Sequence, residues 1–203
     1  MKMTMAAAAS FMLCALFFAG SGGTHVEPTT EAVATSEQVP SILPVCKTVG
    51  GGSVFFDVQF CLEALGSDGR SANAGTDYHT CSVIAADLLT ANATTTAAKI
   101  AGLLLRDRGG KGGHDDATTT RCLRSCQALY GGVVRRPQQS GCAAAVRGRR
   151  SGEATRCLEE AASAAEQCED GFRKSKVASP VTMENDDAFK VAKLAVALLR
   201  MAS

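Results

Sequence analysis

The chain has 203 residues, a formal net charge of +1 at neutral pH and 46% hydrophobic residues, but only 5% aromatic residues and no tryptophan. This near-neutral charge gives no support to nucleic-acid binding, because contacts with backbone phosphates need a strong basic excess. Ala, Leu and Val dominate, a composition that is typical of closely packed helices around one core.

The first 23 residues predict a secretory signal peptide. Lys2 gives the positive start, residues 5–18 form an apolar run that includes Cys14, and residues 19–22 are small enough for cleavage. The run is shorter than the ~20 residues of a membrane-spanning helix. We therefore expect a secreted protein without a membrane anchor. Residues 24–44, rich in Thr, Glu, Val and Pro, are expected to form a flexible N-terminal segment.

Eight of the nine cysteines follow the predicted signal peptide, at positions 46, 61, 81, 122, 126, 142, 157 and 168. An even number of cysteines in an exported chain predicts a disulfide framework. Residues 45–68 hold two short apolar segments around a Gly-rich middle. A disulfide from Cys46 to Cys61 would close them into a helical hairpin and contribute roughly 3 kcal/mol by restricting the unfolded chain.

The remaining part, residues 70–203, predicts a bundle. Apolar residues recur at helical spacing over 81–104, 122–146, 154–172 and after Pro180, with a break or kink expected at Pro137. The stretch Arg106–Asp116, which contains four glycines, is predicted to be a flexible break between helices, and the stretch Arg147–Gly152 is predicted to be a turn. We therefore predict an all-α fold, an antiparallel four-helix bundle preceded by the disulfide-closed N-terminal helical hairpin.

Several residue groups are candidates for chemistry or modification. Asn92-Ala93-Thr94 is a glycosylation sequon, which suits a secreted chain. Cys122, Cys126 and His114 suggest a zinc site, but disulfide bonding is favoured in an exported protein. His79 has no matching nucleophile and orienting acid, so it does not predict catalysis. We expect no enzyme activity, no metal and no cofactor.

Six short motifs, taken in order, resemble those of the plant invertase/pectin methylesterase inhibitor domain. They are Cys46-Lys47-Thr48-Val49, Asp57-Val58-Gln59-Phe60-Cys61, Asn92-Ala93-Thr94-Thr95-Thr96, Cys126-Gln127-Ala128-Leu129-Tyr130, Cys168-Glu169-Asp170-Gly171-Phe172 and Ser179-Pro180-Val181-Thr182-Met183-Glu184-Asn185. The likeness covers the predicted domain, residues 45–203, and is greatest to the branch of invertase inhibitors that includes pollen allergens. It implies a helical hairpin attached to a four-helix bundle, with disulfides Cys46–Cys61 and Cys126–Cys168.

The other four cysteines depart from the pattern of that family. The second and third bundle helices are expected to be antiparallel, and each residue advances 1.5 Å along a helix. If Cys126 lies opposite Cys168, Cys142 comes near Cys157. The first bundle helix then places Cys81 at the same end of the bundle. This register favours a Cys142–Cys157 disulfide, with Cys81 and Cys122 as buried thiols or links between chains.

The resemblance implies a secreted inhibitor that forms a one-to-one complex with a plant acid invertase of the cell wall (apoplast) or vacuole. In invertase inhibitors, the turn between the second and third bundle helices is implied to enter the acidic active site, often with a Pro-Lys-Phe motif. This chain lacks that motif. Arg147, Arg149, Arg150 and Ser151 occupy the matching turn and are the candidate target-binding residues, although a solvated turn is the alternative.

Three other functions are alternatives to invertase inhibition. Inhibition of pectin methylesterase is the nearest, and the resemblance implies that broad helix faces would then contact the target. A lipid-transfer protein is disfavoured because its adjacent Cys-Cys and Cys-x-Cys pairs are absent. A non-inhibitory secreted helical binding protein, similar to the allergens, stays open because of the extra cysteines and Pro137.

Overall fold

The computed structural model describes residues 41–107, 114–134 and 141–202, and every regular element in them is helical. In chain order these are α1 (Leu43–Gly50), α2 (Val58–Gly66), a 3-10 helix (Gly69–Asn73), α3 (Tyr78–Asp107), α4 (His114–Val134), α5 (Cys142–Arg147), α6 (Ser151–Ser175) and α7 (Thr182–Met201). The predicted all-α fold is confirmed. The predicted signal peptide, most of the segment 24–44, residues 108–113 and Pro137 lie outside the described residues. The predicted break Arg106–Asp116 is too long, because α3 continues to Asp107 and α4 begins at His114.

Helices α1 and α2 form the predicted hairpin, closed by the Cys46–Cys61 disulfide. Asp57 caps α2, because its carboxylate accepts a hydrogen bond of 2.7 Å from the backbone N–H of Phe60. Gly50 ends α1 directly against the start of α2, where an added Cβ would lie 2.8 Å from the Val58 nitrogen. The hairpin can therefore fold this tightly because residue 50 has no side chain.

The folded hairpin begins before residue 45. Ile42 is only 2% exposed, and the Ser41 hydroxyl donates hydrogen bonds of 3.1 Å to the carbonyl oxygens of Ser71 and Ala72 in the 3-10 helix. Residues 41–44, which the sequence assigned to the flexible segment, are thus part of the hairpin. The 3-10 helix, which was not predicted, binds Ser41, and Leu43 and Pro44 already belong to α1.

Helices α3, α4, α6 and α7 form the four-helix bundle. Both α3 and α6 pack against α4 and against α7, so the four helices surround one core, and α5 packs between α3 and α6. Small side chains let the helices approach closely, and larger ones fill the spaces between them. The buried set includes Ala85, Ala93, Ala154, Ala161, Ala165, Ala192 and Ala195 beside Ile84, Leu89, Ile100, Leu158, Leu194 and Leu198.

Helix α3 is long and apolar enough to cross a membrane by length and composition alone. Core helices of soluble bundles pass the same test. Along α3, the Asp87 carboxylate forms ion pairs with arginines of two other elements, and the Lys99 ammonium pairs with Glu184 of α7. These contacts, together with its packing on α4 and α7, identify α3 as a bundle helix.

Two further disulfides fasten α4 and α5 to α6. Cys126 is joined to Cys168 and Cys142 to Cys157, with Cα atoms 4.8 and 5.3 Å apart. The first pair is the one that the family resemblance implies, and the second is the one that the helical register favours. With Cys126 in a disulfide, it is not a ligand of the zinc site considered above; the side chain of His114 lies outside the described residues.

Cys81 and Cys122 are buried free thiols. Burial raises the pKa of Cys81 to about 11, so this thiol stays protonated and unreactive at neutral pH. The Cys122 sulfur lies 3.5 Å from the Gly171 carbonyl oxygen and 3.5 Å from the Ser175 hydroxyl, both on α6. Both thiols therefore fill space in the bundle.

A buried polar network joins α4, α6 and α7. The Tyr130 hydroxyl donates a 2.7 Å hydrogen bond to the Asn185 side-chain oxygen. The Asn185 amide donates in turn to the Glu169 carboxylate at 2.7 Å and to the Cys168 sulfur at 3.3 Å. Burial raises the pKa of Tyr130, so the neutral phenol is the form that this network holds. Asn185 therefore connects α7 to both helices of the Cys126–Cys168 disulfide.

We predict that Tyr130→Phe lowers the free energy of unfolding by about 1–2 kcal/mol, because the buried Asn185 oxygen loses its donor. Tyr78→Phe is the matched control, since Tyr78 is only partly buried at the start of α3. Urea denaturation of the oxidised protein measures both. Equal losses for the two variants would show that the buried hydrogen bond contributes no net stability.

Candidate functional site

The turn between α5 and α6 carries the four candidate target-binding residues. The Arg149 N–H donates to the Val146 carbonyl oxygen and the Arg150 N–H to that of Ala145, each at 3.0 Å. These two nested hydrogen bonds are the Schellman pattern that closes a helix C-terminus. The turn is therefore a defined structure with its backbone bonded to the end of α5.

Arg149 occupies the position of this pattern that is usually glycine. Its φ is +53°, in the left-handed region, where a residue with a Cβ is strained by roughly 1–2 kcal/mol. The glycine of the turn stands one position earlier, at Gly148. There an added Cβ would lie 2.5 Å from an Arg150 guanidinium nitrogen and 3.2 Å from the Ala144 carbonyl oxygen. The backbone strain therefore falls on Arg149, and the missing side chain at Gly148 leaves space for the Arg150 side chain.

The three arginines differ in what their guanidinium groups contact. Arg147 forms an ion pair with Asp87 of α3, and the Arg150 Nε donates at 2.8 Å to the Glu153 carboxylate one turn into α6. Among the residues that the structure describes, Arg149 has no ion-pair partner, and its side chain is exposed. Arg149 is therefore the cation of the turn whose charge is available to another molecule.

Ser151 is the first residue of α6 and is exposed. Arg150 holds the N-cap position, and no side-chain hydrogen bond caps the helix. The N–H groups of the first turn of a helix carry partial positive charge and are not bonded within the helix. The start of α6 therefore adds hydrogen-bond donors within a few residues of Arg149 along the chain.

A chain of alternating charges fixes the end of α5 to the rest of the fold. The Arg70 guanidinium, in the 3-10 helix, donates a 2.9 Å hydrogen bond to the Asp87 carboxylate. The same carboxylate forms an ion pair with Arg147. Arg70 additionally forms hydrogen bonds with Asp68 that lower the pKa of that carboxyl to about 2. The roles of Arg70 and Asp87 could not be predicted from the sequence, since their spacing does not indicate that the 3-10 helix lies close to α3 and α5.

The Cys142–Cys157 disulfide encloses the turn. Its cysteines lie at the start of α5 and in α6, with a sequence separation of 15. Closing a loop of this size stabilises the folded state by roughly 3 kcal/mol, because it restricts the unfolded chain. His79 of α3 adds a contact, since its Nε2 lies 3.1 Å from the Val146 carbonyl oxygen. Half-buried His79 thus supports the end of α5.

Asn92 lies in the middle of α3 and is partly buried. Its side-chain oxygen accepts a 3.3 Å hydrogen bond from the Thr96 hydroxyl, and the Thr94 hydroxyl donates to the Thr90 carbonyl oxygen at 2.8 Å. The sequon is therefore helical in the folded chain, and its glycosylation stays a prediction.

Comparisons with known proteins agree with this architecture. The family model described as plant invertase/pectin methylesterase inhibitor matches residues 43–198. A protein of Platanus acerifolia named "Putative invertase inhibitor" is 26% identical over 193 residues, which cover 95% of this chain and 97% of that protein. A protein of Platanus orientalis with the same name is 27% identical over 157 residues, which cover 77% and 86% of the two chains. The chain belongs to the plant invertase/pectin methylesterase inhibitor family.

Proposed function

We propose that this protein is a secreted inhibitor that blocks a plant acid invertase, with the turn between α5 and α6 inserted into the acidic active-site cleft. The family consists of inhibitors, and the two Platanus relatives carry the name invertase inhibitor. Three intramolecular disulfides suit an oxidising, extracytoplasmic compartment. We assign the protein to the secretory route, ending in the apoplast or the vacuole.

The observation that carries this proposal is Arg149. Its backbone is fixed by the nested hydrogen bonds of the turn and has a strained, positive φ, and its guanidinium has no ion-pair partner among the described residues. Strained residues that the surrounding structure holds in place are concentrated at functional sites. A guanidinium presented in this way can bind a carboxylate through two parallel hydrogen bonds.

Inhibition by this route needs no chemistry from the inhibitor. The proposed target, acid invertase, cleaves its substrate with carboxylates in a cleft. A cation that pairs with these carboxylates blocks the cleft. Because the turn is ordered before binding, little conformational entropy is lost when the complex forms. Neighbouring Arg147 and Arg150 are already paired within the chain, so they orient the turn and add positive potential around Arg149.

Pectin methylesterase is the alternative target. The observation that favours it is the absence of Pro-Lys-Phe from the turn, so that the signature contact of the invertase inhibitors is missing. The helix faces of the bundle would then form the interface. A protein that inhibits neither enzyme would be the non-inhibitory, allergen-like member of the family.

The experiment that tests the proposal is a paired titration. Oxidised protein is added to plant acid invertase and, separately, to plant pectin methylesterase at mildly acidic pH. We expect stoichiometric loss of invertase activity and no effect on the esterase. Loss of esterase activity alone would mean that pectin methylesterase is the target and that the helix faces form the interface. No loss of activity in either titration would contradict the assignment as an inhibitor.

We predict that Arg149→Glu raises the inhibition constant for invertase by roughly 30-fold, about 2 kcal/mol, as expected for a central charged contact. The reversed charge would face the carboxylates of the cleft. Arg124→Glu is the control, because Arg124 is exposed on α4, away from the turn. The proposal fails if Arg124→Glu and Arg149→Glu weaken inhibition equally.

We predict that Arg149→Gly separates stability from function. Glycine accepts the left-handed backbone without a Cβ clash, so the free energy of unfolding should rise by roughly 0.5–1 kcal/mol. The same variant lacks the guanidinium and should inhibit more weakly. Urea denaturation and inhibition assays on one preparation measure both effects. Unchanged inhibition would mean that the Arg149 side chain does not reach the target.

A further inference from the structure

Two carboxylates and two guanidinium groups form a continuous series of ion pairs from the 3-10 helix to the end of α5. The Arg70 guanidinium binds the Asp68 carboxylate through two hydrogen bonds, from Nε at 2.9 Å and from Nη2 at 2.7 Å. Its third nitrogen, Nη1, donates at 2.9 Å to Oδ2 of Asp87. The other carboxylate oxygen of Asp87, Oδ1, pairs with Arg147. These four residues are here called the charge chain.

The end of the charge chain at the 3-10 helix is fixed by the backbone. Asp68 is the N-cap of that helix, and its carboxylate also accepts a 2.9 Å hydrogen bond from the Arg70 backbone N–H. The side-chain hydrogen bonds from Arg70 lower the pKa of Asp68 to about 2, so this carboxylate stays ionised at mildly acidic pH. Asp68 therefore sets the orientation of the Arg70 guanidinium, with Nη1 directed at Asp87.

The other end of the charge chain lies where the backbone of the turn is bonded. Arg147 is the last residue of α5. The two residues directly before it, Ala145 and Val146, supply the carbonyl oxygens that accept the nested hydrogen bonds of the turn. Movement of Arg147 would move these two acceptors, and the ion pair with Asp87 opposes that movement. The charge chain thus acts on the backbone that holds Arg149 in its left-handed conformation.

We propose that Asp87 is a positioning residue for the turn between α5 and α6, which it connects to the 3-10 helix so that Arg149 stays in the conformation that binds the target. Asp87 lies at the centre of the charge chain, and its side chain is only 24% exposed, whereas those of Arg70 and Arg147 are 49% and 52% exposed. The effect on invertase rests on the proposed function, but the effect on the order of the turn does not depend on the target.

Electrostatic attraction alone would give Asp87 the opposite effect on inhibition. Without the negative charge of Asp87, Arg147 would lose its ion pair and the turn would become more cationic. Attraction to an acidic cleft would then rise. Loss of positioning instead lowers the fraction of molecules in which the turn is ready to bind, and the apparent affinity falls with that fraction. The direction of the change therefore distinguishes a positioning residue from a carboxylate that only neutralises charge.

Asp87→Asn tests this role, with Glu184→Gln as the matched control. Glu184 forms an ion pair with Lys99 of α3, and its side chain is 28% exposed, close to the value for Asp87. Each variant thus removes one carboxylate charge and its pairing at α3, but only Asp87 belongs to the charge chain. We expect Asp87→Asn to raise the inhibition constant for invertase by roughly three- to tenfold, since two partly exposed ion pairs are lost. Glu184→Gln should leave the inhibition constant unchanged.

Hydrogen exchange of the free variants separates this role from the identity of the target. The amides of Arg149 and Arg150 should exchange faster in Asp87→Asn, and at the parent rate in Glu184→Gln. If the parent protein does not inhibit invertase, faster exchange of these amides still supports the role of Asp87 in the turn, and only the proposed function fails. Unchanged exchange in Asp87→Asn overturns the positioning role whether or not the parent protein inhibits.

A double-mutant cycle with Arg149→Ala shows whether Asp87 acts through Arg149. In that case Asp87→Asn weakens inhibition much less once the Arg149 guanidinium is absent. Fully additive losses, or tighter inhibition by Asp87→Asn, would contradict the positioning role. Arg70→Gln provides a second variant, because it leaves the ion pair between Asp87 and Arg147 in place. It should weaken inhibition in the same direction by a smaller factor, and an unchanged turn in Arg70→Gln would refute the connection to the 3-10 helix.

Discussion

The structure depends on the way in which α6 is bonded to its neighbours. Cys157 and Cys168 lie on the same face of α6, because they are separated by about three helical turns, and they are joined to α5 and α4 respectively. Asn185 then ties α7 to α6 beside the second disulfide. Helix α6 is therefore the common support of the bundle, and the turn that precedes it begins from a fixed base.

This arrangement explains how a small helical domain can present a strained loop. The left-handed backbone of Arg149 is unfavourable by itself, and the chain around it supplies the compensation. That compensation consists of the nested hydrogen bonds of the turn, the ion pair from Arg147 to Asp87, and the Cys142–Cys157 disulfide. All three act on the ends of the turn and leave the Arg149 guanidinium exposed, so rigidity and availability for binding occur together.

Much of the architecture could be predicted from the sequence. Helical periodicity gave the bundle, and the rise per residue favoured the Cys142–Cys157 pair. Contacts between residues distant in sequence could not be predicted. Asp87 forms ion pairs with both Arg70 and Arg147. The buried Asn185 accepts a hydrogen bond from Tyr130. Both sets of contacts depend on how each helix is rotated about its axis relative to its neighbours. The left-handed backbone of Arg149 could not be predicted either, because the neighbouring Gly148 is the residue that would be expected to have a positive φ.

The most direct test is hydrogen exchange of the free protein and of the protein mixed with plant acid invertase, its proposed target. The amides of Arg149 and Arg150 are bonded within the turn, so they should exchange slowly in the free protein. We predict that peptides covering residues 147–151 gain the greatest additional protection when invertase is present. Protection confined to α6 and α7 beyond the turn, or fast exchange of the turn in the free protein, would contradict it.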